Sequence, residues 1–347
     1  MKDLNFICCQ PDDSYYTWQV HLWLENLKTL GYVEKAIVLI YVPKDRKYNS
    51  KWDKIISLYP EAEFVVYEDE HKVSSKLGIY IPVLRPYVLW RYFSENPDMQ
   101  NKAILYYDCD VLLTEKFDIS NFIEDDVCYL SDTKSYINAT YFDSKIKDVK
   151  PDKLEEYKKR DVLNEISGVV GINRQICELN NDNSGGAQYL LKNISADFWK
   201  KVMNDCIEIR INLMNVNRKF FESENKGYQS WCADMWAVLY NLWLNGKETR
   251  IIPEMDFAWA TDPIEKLKKC TIFHNAGVSV PIERIKNEKG ETVERPYFYK
   301  GKYIGGQDPI KDPHLERVLT STESQKLCTW WYSNKLKELY NKYKINY

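Results

Sequence analysis

Two acidic side chains stand one residue apart near the first third of the chain, in Asp108-Cys109-Asp110. They follow the apolar run 102–107 and precede Val111-Leu112-Leu113, so we expect both carboxylates at the end of a buried strand. Two carboxylates this close repel each other unless a cation or a proton lies between them, and hard oxygen ligands suit Mg²⁺ or Mn²⁺. The pattern predicts a divalent metal site at Asp108 and Asp110; the alternative is a solvated strand end.

One histidine is placed to complete this ligand set. His274 ends the strand-like run 270–273 and precedes Asn275-Ala276-Gly277, a turn that would expose the ring. A mixed imidazole and carboxylate set favours Mn²⁺ over Mg²⁺. We therefore predict His274 as the third ligand; the alternative is a buried histidine with a purely structural role.

The elements that must position these residues alternate between strand and helix patterns in the N-terminal third. Strands separated by helices imply a mainly parallel sheet whose ligands bind beyond the carboxyl ends of the strands. The predicted strands are 4–9, 35–42, 62–67, 102–107, 168–173, 185–191, 249–252 and 270–274. The predicted helices are 18–30, 50–58, 82–93, 196–210, 228–244 and 324–347, with a hairpin over 283–303. The expected class is α/β.

Composition limits the function classes. The 347 residues carry 48 Lys and Arg against 51 Asp and Glu, a net charge of −3, which excludes a global basic field that would draw the chain to nucleic acid. No apolar run reaches the roughly 18 residues of a spanning helix, so we expect no membrane partner. The 9 Cys form no paired framework. We expect reduced thiols and a cytoplasmic location.

The chain is expected to form a single domain. We predict that its body covers 1–280, with a polar insertion at 131–165, and that 281–347 adds a hairpin and a helical extension packed on the same domain. The insertion is rich in Lys and Tyr. It is either a solvated face or a surface that binds an acceptor.

Several of these features together resemble a known family. The strand followed by Asp-x-Asp, a glycine-bearing strand downstream and a late His resemble the nucleotide-sugar glycosyltransferases of the GT-A fold. Tyr15-Tyr16-Thr17-Trp18-Gln19, Arg85-Pro86 and Asp234-Met235-Trp236 are similar to motifs of the hydroxyproline O-arabinosyltransferase and peptidyl serine galactosyltransferase group. The resemblance implies a Rossmann-like GT-A sheet, Mn²⁺ or Mg²⁺ as cofactor, and a hexosyl or pentosyl transferase that uses a nucleoside diphosphate sugar, with a UDP-sugar favoured.

The resemblance gives roles to residues near the first strand and the acidic pair. A departing diphosphate carries negative charge, which Asp110 and His274 would neutralise through the metal, while Asp108 would contact the ribose or the metal. Gln10, Asp12, Tyr15 and Trp18 are expected at the nucleotide base, where a ring stacks and polar groups read the pyrimidine edge. Ordinary helix packing is the alternative for Tyr15 and Trp18, and it is the favoured one for Trp18.

Two further segments are expected to contact the donor. The planar fork of Arg85 can grip phosphate or sugar hydroxyls; the alternative is a surface arginine. Gly185 and Gly186 would let the backbone approach the sugar, and Gln188 offers both a donor and an acceptor to its hydroxyls. A plain turn is the alternative for the glycine pair.

Asp234 and Asp256 are the catalytic candidates. Asp234 lies among Trp231, Met235 and Trp236, and a carboxylate buried there has its pKa raised unless it is paired. We predict that it is the general base for the acceptor hydroxyl or a group that holds the sugar; a cap or an ion-paired residue is the alternative. Asp256 is the second candidate, and the reserve candidates are Glu254 and Asp262.

The acceptor stays open at this point. A hydroxymethylated pyrimidine in phage DNA would suit the Lys- and Tyr-rich insertion, and a protein or glycan acceptor is the alternative. A sugar-1-phosphate nucleotidyltransferase is a rival enzyme class, but 9–13 lacks the glycines of a phosphate loop. A non-catalytic module that binds a glycan or a nucleotide is the rival outside enzymology.

Overall fold

The computed structural model describes residues 4–69, 80–223, 225–277, 279–287, 289–345 and 347. The chain forms two compact units that are interleaved along the sequence. Unit 1 comprises Met1–Cys9, Tyr67–Tyr107 and Ser120–Ile252; unit 2 comprises Gln10–Val66, Asp108–Ile119 and Pro253–Tyr347. The division at residue 280 that the sequence suggests stays a prediction.

Strands and helices alternate in the N-terminal part, as the hydrophobic pattern predicts. The strands are β1 Leu4–Pro11, β2 Ala36–Pro43, β3 Glu63–Asp69, β4 Ala103–Tyr106, β5 Val111–Leu113, β6 Cys128–Leu130, β7 Tyr189–Lys192, β8 Thr249–Ile251, β9 Phe257–Trp259, β10 Ile272–His274, β11 Ile282–Lys286 and β12 Thr292–Pro296. The helices are α1 Ser14–Leu30, α2 Lys51–Leu58, α3 Leu84–Glu95, α4 Ser120–Ile123, α5 Lys134–Ile137, α6 Ala139–Ser144, α7 Leu154–Tyr157, α8 Val162–Val170, α9 Arg174–Leu179, α10 Ala196–Phe220, α11 Ala233–Leu244, α12 Pro313–Thr320 and α13 Cys328–Tyr343.

Unit 1 is built on five strands in the order β1-β4-β7-β6-β8. β1 pairs with β4 and β6 with β8 in parallel, whereas β7 runs antiparallel to both of its neighbours. Four of these strands therefore point the same way. The long helix α10 packs against α3, α8 and α11. The mixed α/β class with a mainly parallel sheet flanked by helices is confirmed.

Unit 2 contains the sheet that the acidic pair leads into. β2 and β3 are neighbours, and a separate three-stranded sheet has the order β5-β10-β9. The predicted hairpin is formed by β11 and β12. An aromatic core fills the unit: Trp18 is fully buried, with its ring edge-on to Phe298 and Tyr303. The packing role of Trp18 is thus confirmed, and its indole anchors α1 in this core.

The predicted strand at 168–173 is wrong. This segment continues α8, whose Leu163, Ile166 and Val170 face the interior at helical spacing, and the helix ends at Gly171 with a φ of +105°. A short apolar run fits a buried strand and a buried helix equally well, which explains the error. The strand expected from residue 185 begins only at Tyr189, and the helix expected from residue 228 begins at Ala233.

Two negative findings concern the described residues. None of the helices there combines the length and the apolar character that crossing a bilayer requires. The nine cysteines are all free thiols, and each of them except Cys232 is buried.

Candidate metal and donor site

The acidic pair lies in unit 2, in the turn that leads into β5. β5 pairs antiparallel with β10, in a register that sets Val111 opposite His274. The backbone N–H of Asn275 donates to the carbonyl oxygen of Asp110 at 3.0 Å, which fastens the two turns together. Side-chain ligand atoms of Asp108, Asp110 and His274 consequently lie within 4.8 Å of one another. The strand pairing thus brings together all three predicted metal ligands.

The geometry of this cluster fits a divalent cation. Asp110 is 3% exposed and its Oδ1 lies 3.6 Å from Nε2 of His274. That oxygen is buried and, within the described part of the chain, accepts no hydrogen bond. A buried carboxylate oxygen without a partner is costly, and a cation held between it and the imidazole would satisfy it. The Trp259 ring stacks on His274 at 5.3 Å between centroids, which fixes the imidazole plane.

Lys300 is a member of the cluster that the sequence did not reveal. Its ammonium pairs with Oδ2 of Asp110, and its side chain is 18% exposed. Burial on its own would lower the pKa of Lys300, but the negative charges of Asp110 and Asp108 outweigh burial and raise it. Lys300 is therefore a fixed positive charge beside the acidic pair.

Two tyrosines of the first turn of α1 lie near the acidic pair. Burial, followed by the charge of Asp110, raises the pKa of Tyr15. Burial also raises the pKa of Tyr16, with smaller contributions from Cys109 and Asp108. Both phenols stay protonated near neutral pH and can donate hydrogen bonds. Tyr15 was predicted as a donor-binding residue; Tyr16 was visible only as part of the resemblance motif.

Gln10 and Asp12 are also predicted at the nucleotide base, and they differ in how many of their side-chain atoms already make hydrogen bonds. Nε2 of Gln10 donates to the carbonyl oxygen of Leu39 at 3.2 Å, while its Oε1 is buried without a hydrogen-bond partner among the described residues. Both oxygens of Asp12 are engaged, by the backbone N–H of Asn49 at 2.9 Å and by Nε1 of Trp52 at 2.6 Å. Burial raises the pKa of Asp12. Asp12 holds the start of α2, and Gln10 keeps an acceptor available.

Arg85 and Asp234 come together in unit 1. Nη2 of Arg85 pairs with Oδ2 of Asp234, and the two side chains are 18% and 10% exposed. Tyr80 fixes this part of the chain, because its hydroxyl donates to the carbonyl oxygen of Trp231 at 2.6 Å and accepts from the backbone N–H of Asp234 at 3.3 Å. Asp234 is thus an ion-paired carboxylate in the first turn of α11. Trp231, in the same segment, is 54% exposed.

Gly185 and Gly186 are required by packing. A Cβ on Gly185 would lie 2.5 Å from the carbonyl oxygen of Ser131, and one on Gly186 would lie 2.8 Å from Cε of Met235. The turn between them and β7 passes through Ala187, which has a φ of +68°. Gln188 is fully buried, and its carbonyl oxygen accepts from the backbone N–H of Ser131 at 3.2 Å. Gly185 therefore packs closely against the backbone of Ser131 and the side chain of Leu130, and Gly186 packs against the side chains of Met235 and Tyr189.

Asp256 lies at the opposite end of β9 from the metal cluster. β9 and β10 pair in parallel with Trp259 level with His274, so Asp256 stands about 10 Å farther along the strands. One of its oxygens accepts from the backbone N–H of Phe257 at 2.8 Å and the other from Sγ of Cys270 at 3.5 Å. The reserve candidate Asp262 accepts from Trp259 N–H and from Lys266, and Glu254 is exposed.

The polar segment 131–165 belongs to unit 1 and contains the short helices α5, α6 and α7 and the start of α8. A cavity of about 470 Å³ lies there, and its lining includes Phe142, Tyr157, Tyr228, Arg160 and Arg174. The two guanidiniums are neutralised: Arg160 pairs with Glu165, and Arg174 with Asp143, Asp161 and Glu178.

Comparisons with known proteins give structural likeness alone. No family model and no curated protein matches the sequence. The bifunctional glycosyltransferase WbbM, in its apo form, is similar with 11% identity and a TM-score of 0.44 over 81% of this chain and 47% of that one. The galactosyltransferase LgtC, in complex with donor and acceptor sugar analogues, is similar with 10% identity and a TM-score of 0.47 over 97% of this chain and 95% of that one. This chain spans less than half of the first and nearly all of the second.

Proposed function

We propose that this protein is a metal-dependent glycosyltransferase that moves a sugar from a nucleoside diphosphate sugar to an acceptor hydroxyl. The observation that carries the proposal is the cluster of Asp108, Asp110 and His274, in which a buried carboxylate oxygen lacks a hydrogen-bond partner in the described chain. A UDP-sugar is the favoured donor, and the finer resemblance to arabinosyl- and galactosyltransferases stays a prediction.

The residues of unit 2 supply what such a donor needs. Asp108, Asp110 and His274 would hold Mn²⁺ or Mg²⁺, and the bound cation would act as a Lewis acid that neutralises the departing diphosphate. Tyr15 and Tyr16 keep their phenolic protons and can donate hydrogen bonds to anionic oxygens beside the acidic pair. The buried Oε1 of Gln10, which has no hydrogen-bond partner among the described residues, would accept from the N–H edge of a base.

The transfer exchanges one bond for another. The bond between the anomeric carbon and the diphosphate oxygen breaks, and its electron pair leaves with the nucleoside diphosphate. The acceptor oxygen bonds to the anomeric carbon and loses its proton to a base. Because Asp234 is held by Arg85, we propose that this pair grips sugar hydroxyls, with the carboxylate accepting and the guanidinium donating.

The decisive experiment is a donor panel with a metal-site variant. Wild type incubated with Mn²⁺ and a set of UDP- and GDP-sugars should release nucleoside diphosphate, and it should do so faster when the matching acceptor is present. Asp110→Asn should abolish Mn²⁺-dependent turnover and Mn²⁺ binding, because the amide removes a charged ligand. Asp312→Asn is the matched control. Asp110 pairs with Lys300 and Asp312 pairs with Lys302, and both lysines lie in the short turn Lys300–Tyr303. Asn at position 312 also preserves the helix cap that Asp312 provides.

Each rival gives a different result. A nucleotidyltransferase would release pyrophosphate from a nucleoside triphosphate and a sugar 1-phosphate, and a binding module would bind nucleotide without forming product. Either result overturns the proposal. So does an absence of both donor binding and donor hydrolysis across the panel with Mn²⁺ present.

A further inference from the structure

Trp231 is an exposed tryptophan of unit 1 that is held in place by a buried neighbour. It is 54% exposed, whereas Tyr80 is 1% exposed. The two rings are perpendicular with 5.4 Å between their centroids, and the Tyr80 hydroxyl donates to the carbonyl oxygen of Trp231 at 2.6 Å. A tryptophan held in this way loses little conformational entropy when a ligand packs on its ring.

Arg210, on α10, lies against both of these rings. Its guanidinium carbon is 4.3 Å from the centroid of the Tyr80 ring and 5.5 Å from that of Trp231, and its Nη1 donates to Oγ of Ser230 at 3.2 Å. Within the described residues Arg210 pairs with no carboxylate, and its Nε is buried without a hydrogen-bond partner. Arg174 of the same unit, by contrast, pairs with several carboxylates. Arg210 therefore keeps a positive charge that an anionic ligand can compensate.

These two side chains together select a ligand of mixed chemistry. A tryptophan ring binds the flat C–H face of a sugar ring, and a guanidinium donates to a carboxylate through its planar fork. The Tyr80 hydroxyl contacts the backbones of both Trp231 and Asp234, the second by accepting an N–H at 3.3 Å. Asp234 pairs with Arg85, and this ion pair suits sugar hydroxyls. A pyranose ring that carries a carboxylate would engage all of these groups.

We propose that Trp231 and Arg210 bind an acidic sugar, a uronic acid in its pyranose form, with the sugar ring on the indole and the carboxylate on the guanidinium. This inference rests on the proposed function, for which it names the class of sugar. The acidic ring belongs either to the donor or to the acceptor, and in both cases the same carboxylate reaches Arg210.

The first experiment compares sugars that differ only in the carboxylate. Ligand-observed NMR measures the Kd of methyl glucuronide and methyl galacturonide against the two neutral methyl hexosides. We expect wild type to bind at least one uronide about tenfold more tightly than its neutral match, the value of one charge-assisted hydrogen bond. Arg210→Gln should remove this preference and keep the affinity for the neutral hexosides, which also shows that the variant is folded. Trp231→Ala should weaken both kinds of sugar alike, by several-fold.

Lys200→Gln is the matched control. Lys200 is also on α10, and its ammonium also lies over an indole, that of Trp90, at 5.2 Å from the ring centroid. If any cation beside a tryptophan of this helix attracted the uronides, Lys200→Gln would lower their affinity as well. We expect all four affinities to stay at the wild-type values.

The second experiment identifies the source of the acidic ring. With Mn²⁺ present, calorimetry compares UDP-glucuronate and UDP-galacturonate with UDP-glucose and UDP-galactose. Tighter binding of an acidic UDP-sugar that Arg210→Gln removes assigns the ring to the donor. Equal binding of acidic and neutral UDP-sugars, together with the preference for a methyl uronide, assigns it to the acceptor.

Three results overturn the inference. They are the absence of a preference for the acid in both experiments, a preference that Arg210→Gln leaves intact, and UMP binding that Arg210→Gln abolishes, which would assign these side chains to a nucleotide. None of these measurements depends on turnover. The release of nucleoside diphosphate in the donor panel still tests the proposed function on its own, so the two failures are distinguishable.

Discussion

At the scale of single residues, the ion pair of Asp234 with Arg85 bears on the two roles predicted for this carboxylate, general base or sugar-holding group. A carboxylate that accepts from a guanidinium is a fixed anchor for hydroxyl groups, whereas a general base must exchange its proton with the acceptor. Arg85 and Asp234 are both largely buried, and Tyr80 holds the backbone of Asp234 in place. The geometry favours the anchor.

Asp234→Asn should therefore lower kcat/KM for the donor by about 10- to 100-fold, the value of a hydrogen bond to a charged group. Mn²⁺ affinity should be unchanged, and so should the acidic limb of the kcat–pH profile. Asp205→Asn is the control, because Asp205 is also 10% exposed and pairs with Lys201 at 2.9 Å on α10. Loss of the acidic limb in Asp234→Asn alone would assign Asp234 as the base.

Residue chemistry also sets how much of the site was predictable. Asp108, Asp110 and His274 could be found because each stands at a strand end in the sequence, and strand ends meet at sheet edges. Lys300 could not, since nothing local distinguishes it from Lys302 two positions on; only the packing of their turn directs one at Asp110 and the other at Asp312. Arg85 could be selected from the sequence for its guanidinium group, but its ion pair with Asp234 could not be predicted.

At the scale of elements, the same limit applies to the fold. The N-terminal strands and helices were predicted within a few residues because their apolar periodicity is long and regular. The last turn of α8, Gly168-Val169-Val170, has the pattern of a short buried strand; the capping residue Asp161 and the apolar positions before Gly168 are what identify it as a helix. The sequence predicts a close approach to the backbone at Gly185 and Gly186 but does not identify the neighbouring group. In the structure Ser131 and Leu130 lie against Gly185, and Met235 and Tyr189 lie against Gly186. Contact of the two glycines with the donor sugar stays a prediction.

Within unit 2, the contact of α1 with the C-terminus should make stability depend on pH. His21 on α1 is fully buried, and its Nδ1 lies 2.5 Å from the hydroxyl of Tyr347. Burial lowers the pKa of His21 to about 3 from an ordinary value near 6.5. Between these two values the unfolded chain binds a proton that the folded chain does not, so the free energy of unfolding falls as the pH falls.

His21→Gln should remove this dependence. Relative to pH 7.5, wild type should lose about 2 kcal/mol at pH 5 through His21, and the variant should lose that much less. Urea denaturation at the two pH values measures both losses, and the carboxylates common to both proteins cancel in the comparison. Each loss is measured from that protein's own free energy of unfolding at pH 7.5, so a lower stability of the variant at pH 7.5 does not affect the comparison. Equal losses in the two proteins would show that the pKa of His21 is the same in the folded and the unfolded chain.

At the scale of the whole molecule, charge bears on the acceptor. The net charge of −3 gives no general attraction to a polyanion. The polar segment that could have supplied a local basic surface is partly neutralised by its own acids: Lys134 pairs with Asp132, Lys158 with Glu155, and Arg160 with Glu165. Neutralised lysines displace few counterions from DNA. This charge distribution gives no support to a DNA acceptor, and the identity of the acceptor stays a prediction.

A duplex that contains hydroxymethylated cytosine tests this directly. Fluorescence anisotropy at 50 mM and 200 mM salt should show no saturable binding at micromolar protein, because a protein that neutralises few phosphates gains little from counterion release. Lys134→Glu together with Lys158→Glu should then leave the signal unchanged. Binding to DNA that weakens a hundredfold or more between the two salt concentrations, and that the double variant removes, would restore the modified base as the acceptor. It would also show that the paired lysines exchange their carboxylate partners for phosphates, a substitution that costs little at an exposed ion pair.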